Sequence, residues 1–495
     1  MLGDFTVTHN TTTIIEAITH APESRILLCA FNKRIAVELQ NRLANPAAEA
    51  ATLHSVGFAC VRRYWERVRI DDKSARKEWL AREACGQQAP DAMIRLVMKL
   101  HTLGREMMPL VTSPEALRQL AYAHDCVPDD DWAQDGYDVD WICQKSVEAM
   151  HLAAENRPRA TGIDFSDMLF LPVRNRWLRP RYDLVIVDEC QDLNVTQLLI
   201  AQGVASGRMA VVGDNRQACY AFRGADSGSL DRLKTELQAT ELGLTTTYRC
   251  GQKIVAVAAA LVPDFQAAPT NAPGTVSHIA IGDLAARVAI GDFVLSRKNA
   301  PLASVALKIL RAGKRCKIEG RDIGAGLHAL INKLAKGKGR DSMPEFLGKL
   351  TTWEQKEIAR AEKSGDQAET RIERVRDQAD TIRALAESLS GVPELQARIE
   401  DLFSDGGGPR VVCSSVHRSK GLEADRVFVL EDTLIREAPC KCGHWGGTHE
   451  RDSGCGKCKC KKFSEDPQRK IEEQNIEYVA LTRAKHELVW VEGLP

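Results

Sequence analysis

Apolar positions along the chain gather into short runs, each followed by a polar turn and then a helical pattern. "SRILLCAFNKRIAVELQNRL" opens with a strand over Ile26–Ala30 and continues as a helix. "RYDLVIVDECQDLN" is an apolar strand that runs out at two acids, and "RMAVVGDNRQACYAFRG" repeats strand and polar loop. Strands of four or five apolar residues alternating with helices predict a parallel sheet with crossover connections. Ligands of such sheets bind at the carboxyl ends of the strands.

The pattern resumes after "LTTTYRCGQKIVAVAAAL" and the Pro-rich break "QAAPTNAPG". "DFVLSRKNAPLASVALKILRAGKRCKI" reads as strand, helix, strand, and "VVCSSVHRSKGLEADRVFVLED" and "EYVALTRAKHELVWV" return to a sheet. Between the sheet-forming stretches lie two regions of helical period. One, over 66–160, carries the acidic loop "DDDWAQDGYDVD"; the other, over 325–404, is closed by "SDGGGPR". The predicted fold class is α/β: two parallel-sheet units, each with a mainly helical insert. The first unit comprises 1–65 and 161–240, the second 241–324 and 405–495.

Length and composition agree. The 495 residues predict two to four domains, with 44% hydrophobic and 27% charged positions. No run is long enough to cross a membrane, and the amino terminus lacks a secretory pattern. Formal net charge is zero, so affinity for nucleic acid has to come from local patches. Five of the fifteen cysteines crowd into 440–460, which fits a reducing compartment with one metal site better than a disulfide framework.

Asp188 and Glu189 stand where the strand "LVIV" ends. Two carboxylates there can organise a hydrated Mg²⁺ and activate a water, or they are solvated loop acids. Gln217 can sense a terminal phosphate or position the attacking water. Tyr220 and Phe222 share one side of an extended segment, where they stack bases or pack the core.

These segments together resemble the UvrD/Rep family of superfamily 1 DNA helicases over almost the whole chain. The resemblance rests on "ILLCAFNKRIAVELQNRL", "ATLHSVGF", "GIDFSDMLFLP", "VDECQD", "VGDNRQACYAFRGA", "LTTTYRC", "VLSRKNAPL", "SSVHRSKGLEADRV" and "NIEYVALTRAKHEL", in the family's order. It implies two RecA-like P-loop NTPase domains, ATP and Mg²⁺ as cofactors, and movement on single-stranded DNA, 3′ to 5′. Asp188 resembles the Mg²⁺ ligand, Glu189 the catalytic base and Gln217 the γ-phosphate sensor. Tyr248 resembles the residue stacking on adenine, Arg249 and Arg483 the two phosphate arginines, and Glu423 the acid that contacts nucleotide. His54, Tyr220, Phe222, Arg223 and His417 resemble DNA-side residues; Lys420 meets a DNA phosphate or is solvated. Phe58 and Tyr64 read as packing residues. Implied partners are single-stranded DNA, single/double-strand junctions and replication or repair proteins. A monomer or weak oligomer in a bacterial cytoplasm, or of phage origin, is expected.

The opening "GDFTVTHNTTTIIEAI" departs from that pattern. A phosphate loop needs glycines and a lysine before its helix. Aligned on the helix, Thr11 takes the Mg²⁺-binding hydroxyl position, with Thr12 beside it, but His9 and Asn10 stand where Gly-Lys belongs. "DFTVT" favours a strand. Three readings compete: an intein tail, since inteins commonly end in His-Asn before Cys, Ser or Thr; a truncated or mis-assigned start; and true loss of the ATPase. All three predict weak or no ATP binding by the chain as it stands.

Cys440, Cys442, Cys455, Cys458 and Cys460 share one loop with His444 and His449. Cys455-x-x-Cys458 has zinc-knuckle spacing, whereas Cys440-x-Cys442 is tighter than the usual partner pair. Structural Zn²⁺, free thiols and an iron–sulfur cluster remain open. Cys29, Cys190 and Cys413 read as small buried hydrophobes. For function, the leading reading is a helicase or translocase motor. Its alternatives are a DNA-dependent ATPase that translocates without efficient unwinding, and an ATP-independent DNA-binding or scaffold protein.

Overall fold

Four parallel strands, β1 (Ile26–Ala30), β2 (Ala48–Thr52), β3 (Tyr182–Val187) and β4 (Ala205–Val211), form the sheet of a first unit, Met1–Glu241, in the order β2–β1–β3–β4. The structure, a computed structural model, describes residues 9–494 apart from 31, 72–73, 108–112, 125, 129–131, 133, 156–161, 218–233, 236, 336–340, 363–367, 405–407, 437–448, 451–453 and 456–463. The "DFTVT" segment therefore lies outside the described residues.

Alternation along the apolar strands serves both faces of this sheet. Leu184 and Ile186 of β3 pack with Ile14 and Ile18 of α1 (His9–Thr19) and Leu39 of α2 (Lys33–Arg42). Val185 and Val187 point the other way, into a core with Leu53 and Val56 of α3 (Leu53–Tyr64), Leu169 and Ile200. Each such buried side chain stabilises the fold by roughly 1.5–3 kcal/mol. The chain then forms four helices, α4 (Ala75–Cys85), α5 (Asp91–Glu106), α6 (Pro114–Ala123) and α7 (Val139–Glu155), before α8 (Phe165–Arg174) and α9 (Val195–Val204) return it to the sheet.

Local chemistry starts and seats these helices. The Thr52 hydroxyl accepts from the Ser55 N–H at 3.1 Å to cap α3, and Asp164 accepts from the Asp167 N–H at 2.7 Å to cap α8. Gly57 lets α3 touch α8, because a Cβ there would sit 2.0 Å from the Met168 carbonyl oxygen. The helical region is tied to α8 by fully buried ions. Arg105 of α5 binds Asp164 at 2.7 Å and Asp167 at 2.6 Å, and Arg76 of α4 binds Asp167 at 3.1 Å.

The second unit, Leu242–Pro495, contains six parallel strands in the order β7–β14–β11–β8–β10–β9. These are β7 (Thr275–Ala280), β8 (Phe293–Ser296), β9 (Cys316–Ile318), β10 (Val411–Ser415), β11 (Ala424–Leu430) and β14 (Ala484–Glu492). β5 (Thr246–Thr247) pairs with β6 (Gln266–Ala267), and β12 (His449–Glu450) with β13 (Gly454–Cys455). Between β9 and β10 the chain forms four helices, Arg321–Leu334, Met343–Glu362, Ala368–Ala386 and Val392–Phe403. Their Leu330, Phe346, Leu385 and Leu395 join one continuous core with Val294, Ile318, Val411 and Phe428 of the sheet. This helical segment is thus an extension of the sheet domain's own core.

Candidate nucleotide and nucleic-acid sites

In the first unit the chemistry collects where β3 and β4 end. β3 delivers Asp188, 5% exposed, directly after Val187. The Asp188 carboxylate accepts from the Glu189 N–H at 3.0 Å, and its own N–H donates to the Cys29 carbonyl of β1 at 3.2 Å. Glu189 adopts φ +52°, a left-handed backbone that ordinary side chains rarely take.

From these acids a hydrogen-bonded chain runs to the next loop. The fully buried Gln191 donates to Glu189 at 2.5 Å and accepts from the Asp214 N–H at 3.1 Å. Asp214 in turn accepts from the Gln217 side chain at 2.8 Å. Gly213 makes room for this relay: a Cβ there would lie 2.5 Å from Gln191 Oε1 and 2.7 Å from Cys190 Sγ. Gln191 was absent from the sequence-derived candidates. A glutamine between two acids carries no pattern that distinguishes a buried relay from a solvated loop.

His54 opens α3, half-buried and edge-on to Phe165 with ring centroids 6.1 Å apart; burial lowers its pKa below the ordinary histidine value. Thr12 is exposed on α1, and Thr11 lies in the same helix, which begins at His9. Tyr220, Phe222 and Arg223 lie outside the described residues.

Tyr248, Arg249, Glu423 and Arg483 all belong to the second unit. Tyr248 is 66% exposed. Arg249 Nε lies 2.8 Å from Glu423 Oε2, and Lys485 Nζ lies 2.8 Å from Glu423 Oε1. Lys485 also anchors the Arg249 loop through its backbone, since its carbonyl accepts from the Gly251 N–H at 2.8 Å. It is the second residue the sequence reading left out; a lysine two positions after Arg483 carries no pattern that marks a carboxylate partner.

Arg483 is 1% exposed and turned inward. Its guanidinium donates to the carbonyls of Val479 at 3.1 Å and Leu422 at 3.2 Å, and to the Thr482 hydroxyl at 3.2 Å. His417, just after β10, is half-buried; burial, then Arg297 and Arg418, bring its pKa down to about 3, so it is neutral near pH 7. Lys420 caps the same short helix and is half-buried.

Two adjacent carboxylates at a strand end offer the hard oxygens that suit Mg²⁺. The head of α1 does not fit a phosphate cradle, since His9 and Asn10 supply neither a glycine nest nor a lysine charge. Of the cysteine cluster only Cys455 falls among the described residues, in β13 opposite His449 of β12; Cys440, Cys442, Cys458 and Cys460 lie outside them. Among the described residues, His278, Glu431 and Glu492 place potential ligand atoms within 4.8 Å of one another. Cys29, Cys190 and Cys413 are buried, as their strand contexts predict.

Two tandem parallel-sheet domains, the first ending a buried strand in Asp-Glu beside a glutamine-bearing loop, define a P-loop NTPase fold of the RecA-like class. The UvrD/REP helicase N-terminal domain matches residues 5–238, and the UvrD-like helicase C-terminal domain matches 325–491. The chain belongs to the UvrD/Rep helicase family. Relatives include a probable DNA helicase II homolog of Rickettsia conorii, 33% identical over 111 residues that make up 20% of this chain and 17% of that protein. DNA helicase II of Escherichia coli is 30% identical over 139 residues, covering 26% of this chain and 19% of the relative. The F-box DNA helicase protein 1 of Schizosaccharomyces pombe is 24% identical over 340 residues, 62% of this chain and 34% of the relative. The chain thus matches well under two thirds of the length of these relatives. No helix among the described residues is long and apolar enough to cross a membrane.

Proposed function

We propose that this fold is the motor of an ATP-dependent DNA helicase or translocase, moving 3′ to 5′ on single-stranded DNA in replication, repair or recombination. The observation that carries the reading is the relay from Glu189 through Gln191 and Asp214 to Gln217. It couples a catalytic acid to the loop that leads into Tyr220, Phe222 and Arg223, the proposed strand-binding residues. Movement of that loop on DNA would therefore be felt at the acid.

In this reading Asp188 holds Mg²⁺, which would neutralise charge developing on the phosphate oxygens during transfer. Glu189 orients the attacking water and takes its proton. Tyr248 stacks on the adenine. Arg249 and Arg483 stabilise the transferring phosphoryl group once released from their present partners. His54, His417 and Lys420 serve the DNA side, and Thr11 and Thr12 lie beside the phosphates. Single/double-strand junctions are the natural substrate, with replication or repair proteins as partners and a monomer or weak oligomer in a bacterial cytoplasm as the working form. The cysteine loop holds structural Zn²⁺.

His9 and Asn10 support a second reading, an ATP-independent DNA-binding or scaffold protein, because neither can cradle phosphate. A motor that translocates without efficient unwinding is the third. Strand displacement on tailed duplexes separates them, using a chain whose residues 1–10 are replaced by a glycine–lysine phosphate loop. Unwinding from 3′ tails supports the motor; unwinding solely from 5′ tails refutes its polarity. DNA binding without hydrolysis favours the scaffold.

A further inference from the structure

The first unit carries a basic surface remote from Asp188 and Glu189. α3 begins immediately after β2 ends, and its twelve residues rise about 18 Å, which brings Tyr64 to the opposite, amino-terminal edge of the sheet. Arg181 stands at that same edge, one residue before β3. Arg62 and Arg63 are exposed in the last turn of α3, and Arg67 and Arg69 on the segment that leaves it. Arg174 is exposed at the end of α8, and Arg176, Arg179 and Arg181 are exposed on the segment between α8 and β3. Among the described residues no ion pair joins these eight arginines to a carboxylate, although the first segment also carries the exposed Glu66; Asp183, the acid nearest in sequence to Arg181, is taken by Arg25 at 2.9 Å.

The two segments are held rigidly together. Tyr64 stacks on Trp177 at 4.7 Å with an 11° interplanar angle, and Trp65 meets Trp177 edge-on at 5.3 Å. Arg179 lies over the Tyr64 ring and donates to its hydroxyl at 3.2 Å. The Ile163 N–H donates to the Arg69 carbonyl at 2.9 Å, pinning the first segment. Arg67 and Arg176 both hold left-handed backbone, at φ +57° and +56°, a conformation that costs energy in a non-glycine residue. Tyr64 is 40% exposed at this face and packs there on Trp177, in keeping with the packing role its sequence context suggests.

We propose that this arginine face, formed by residues 62–69 and 174–181, binds the phosphate backbone of duplex nucleic acid. All eight cations are arginines, whose planar guanidinium suits paired phosphate oxygens. The aromatic faces are spent on one another, so the surface offers phosphate contacts instead of base-stacking platforms. Tyr64 and Ile70 are the large apolar side chains exposed beside these arginines, too few to make the continuous apolar face of an interfacial membrane helix. The choice of nucleic acid as the polyanion rests on the motor reading. The face shares no residue with the proposed single-strand set.

The test uses the full chain, a labelled blunt duplex of about two helical turns, a labelled oligo-dT and anisotropy titrations across salt concentrations. The triple variant Arg63→Gln, Arg69→Gln, Arg174→Gln changes three exposed positions that have no ring contacts and no left-handed backbone. Duplex affinity at low salt is expected to fall at least tenfold, and the slope of log K against log salt to become shallower by roughly 2–3. Oligo-dT affinity and the thermal midpoint stay unchanged, and lysine at the same three positions restores most of the duplex affinity. Unchanged duplex affinity and slope, with oligo-dT still bound, overturn the inference and leave the motor reading standing. Equal losses on duplex and oligo-dT overturn it too, as does loss of binding confined to phosphatidylserine–phosphatidylcholine vesicles. A parent chain that binds neither nucleic acid overturns the inference and the motor reading together.

Discussion

Arg249 and Glu423 are joined at 2.8 Å inside the second unit, and Lys485 holds the other oxygen of the same carboxylate at 2.8 Å. The arginine proposed to meet a phosphate is therefore neutralised by its own domain. Lys485 can keep Glu423 compensated when Arg249 leaves. All three side chains are at most 22% exposed, so the charges are poorly screened. Glu423→Gln strands two cations and is expected to cost about 2–4 kcal/mol in denaturant unfolding. Lys485→Met leaves the Arg249 pair intact and costs less. The reverse order contradicts the shared-carboxylate arrangement.

The buried Arg105 sits between Asp164 and Asp167 at 2.7 and 2.6 Å. Burial works to raise both carboxyls; for Asp164 the charge and hydrogen bonds of Arg105 outweigh it and hold the acid below its usual range. Arg105→Met leaves Asp167 with Arg76 alone and Asp164 without its arginine, and is expected to destabilise the first unit by about 3–5 kcal/mol. Thermal unfolding checks it. A change under about 1 kcal/mol would show that the network does not hold the helices to α8.

Gly213→Ala drives a methyl group to within 2.5 Å of Gln191 Oε1 and must displace the relay. In a chain carrying a glycine–lysine phosphate loop, the expected result is retained basal ATP hydrolysis with DNA stimulation reduced at least tenfold. Gln191→Leu is expected to do the same, at about 1–3 kcal/mol of stability. Full stimulation in either variant removes the coupling role.

His101 is fully buried, and burial, reinforced by Arg105, lowers its pKa to about 3. Its folded pKa lies below the unfolded value of about 6.5, so between those limits the unfolded chain binds the extra proton. Stability is then complete above pH 6.5 and falls as pH drops toward 3, by up to about 1.4 kcal/mol per pH unit from this residue. His101→Leu should flatten the acid limb of a stability–pH curve. An unchanged limb assigns the acid loss to other groups.

The sheets were legible because their signal is physical and local. Nothing but a buried strand accounts for "LVIV" running into two acids, and β3 ends at Val187 as that pattern requires. The same holds for the strand–helix–strand of 292–318. The buried ions were not legible. Helical period does not show which charged positions turn inward, and only the meeting of Arg76 and Arg105 with Asp164 and Asp167, some sixty to ninety residues away, makes their burial tolerable. Gln191 escaped for a related reason: its value lies in two contacts, one of them to a loop 23 residues on. The helical insert before β10 was legible as helices, but its shared core with the sheet was not, because helical period reports a buried face without saying what covers it.

The most direct test of the motor account is ATP hydrolysis with and without single-stranded DNA. It compares the chain as it stands with one in which a glycine–lysine phosphate loop replaces residues 1–10 ahead of Thr11. The account predicts little or no turnover by the former, DNA-stimulated turnover by the latter, and loss of that turnover in Glu189→Gln. Robust DNA-stimulated hydrolysis by the unaltered chain, or turnover that survives Glu189→Gln, would contradict it.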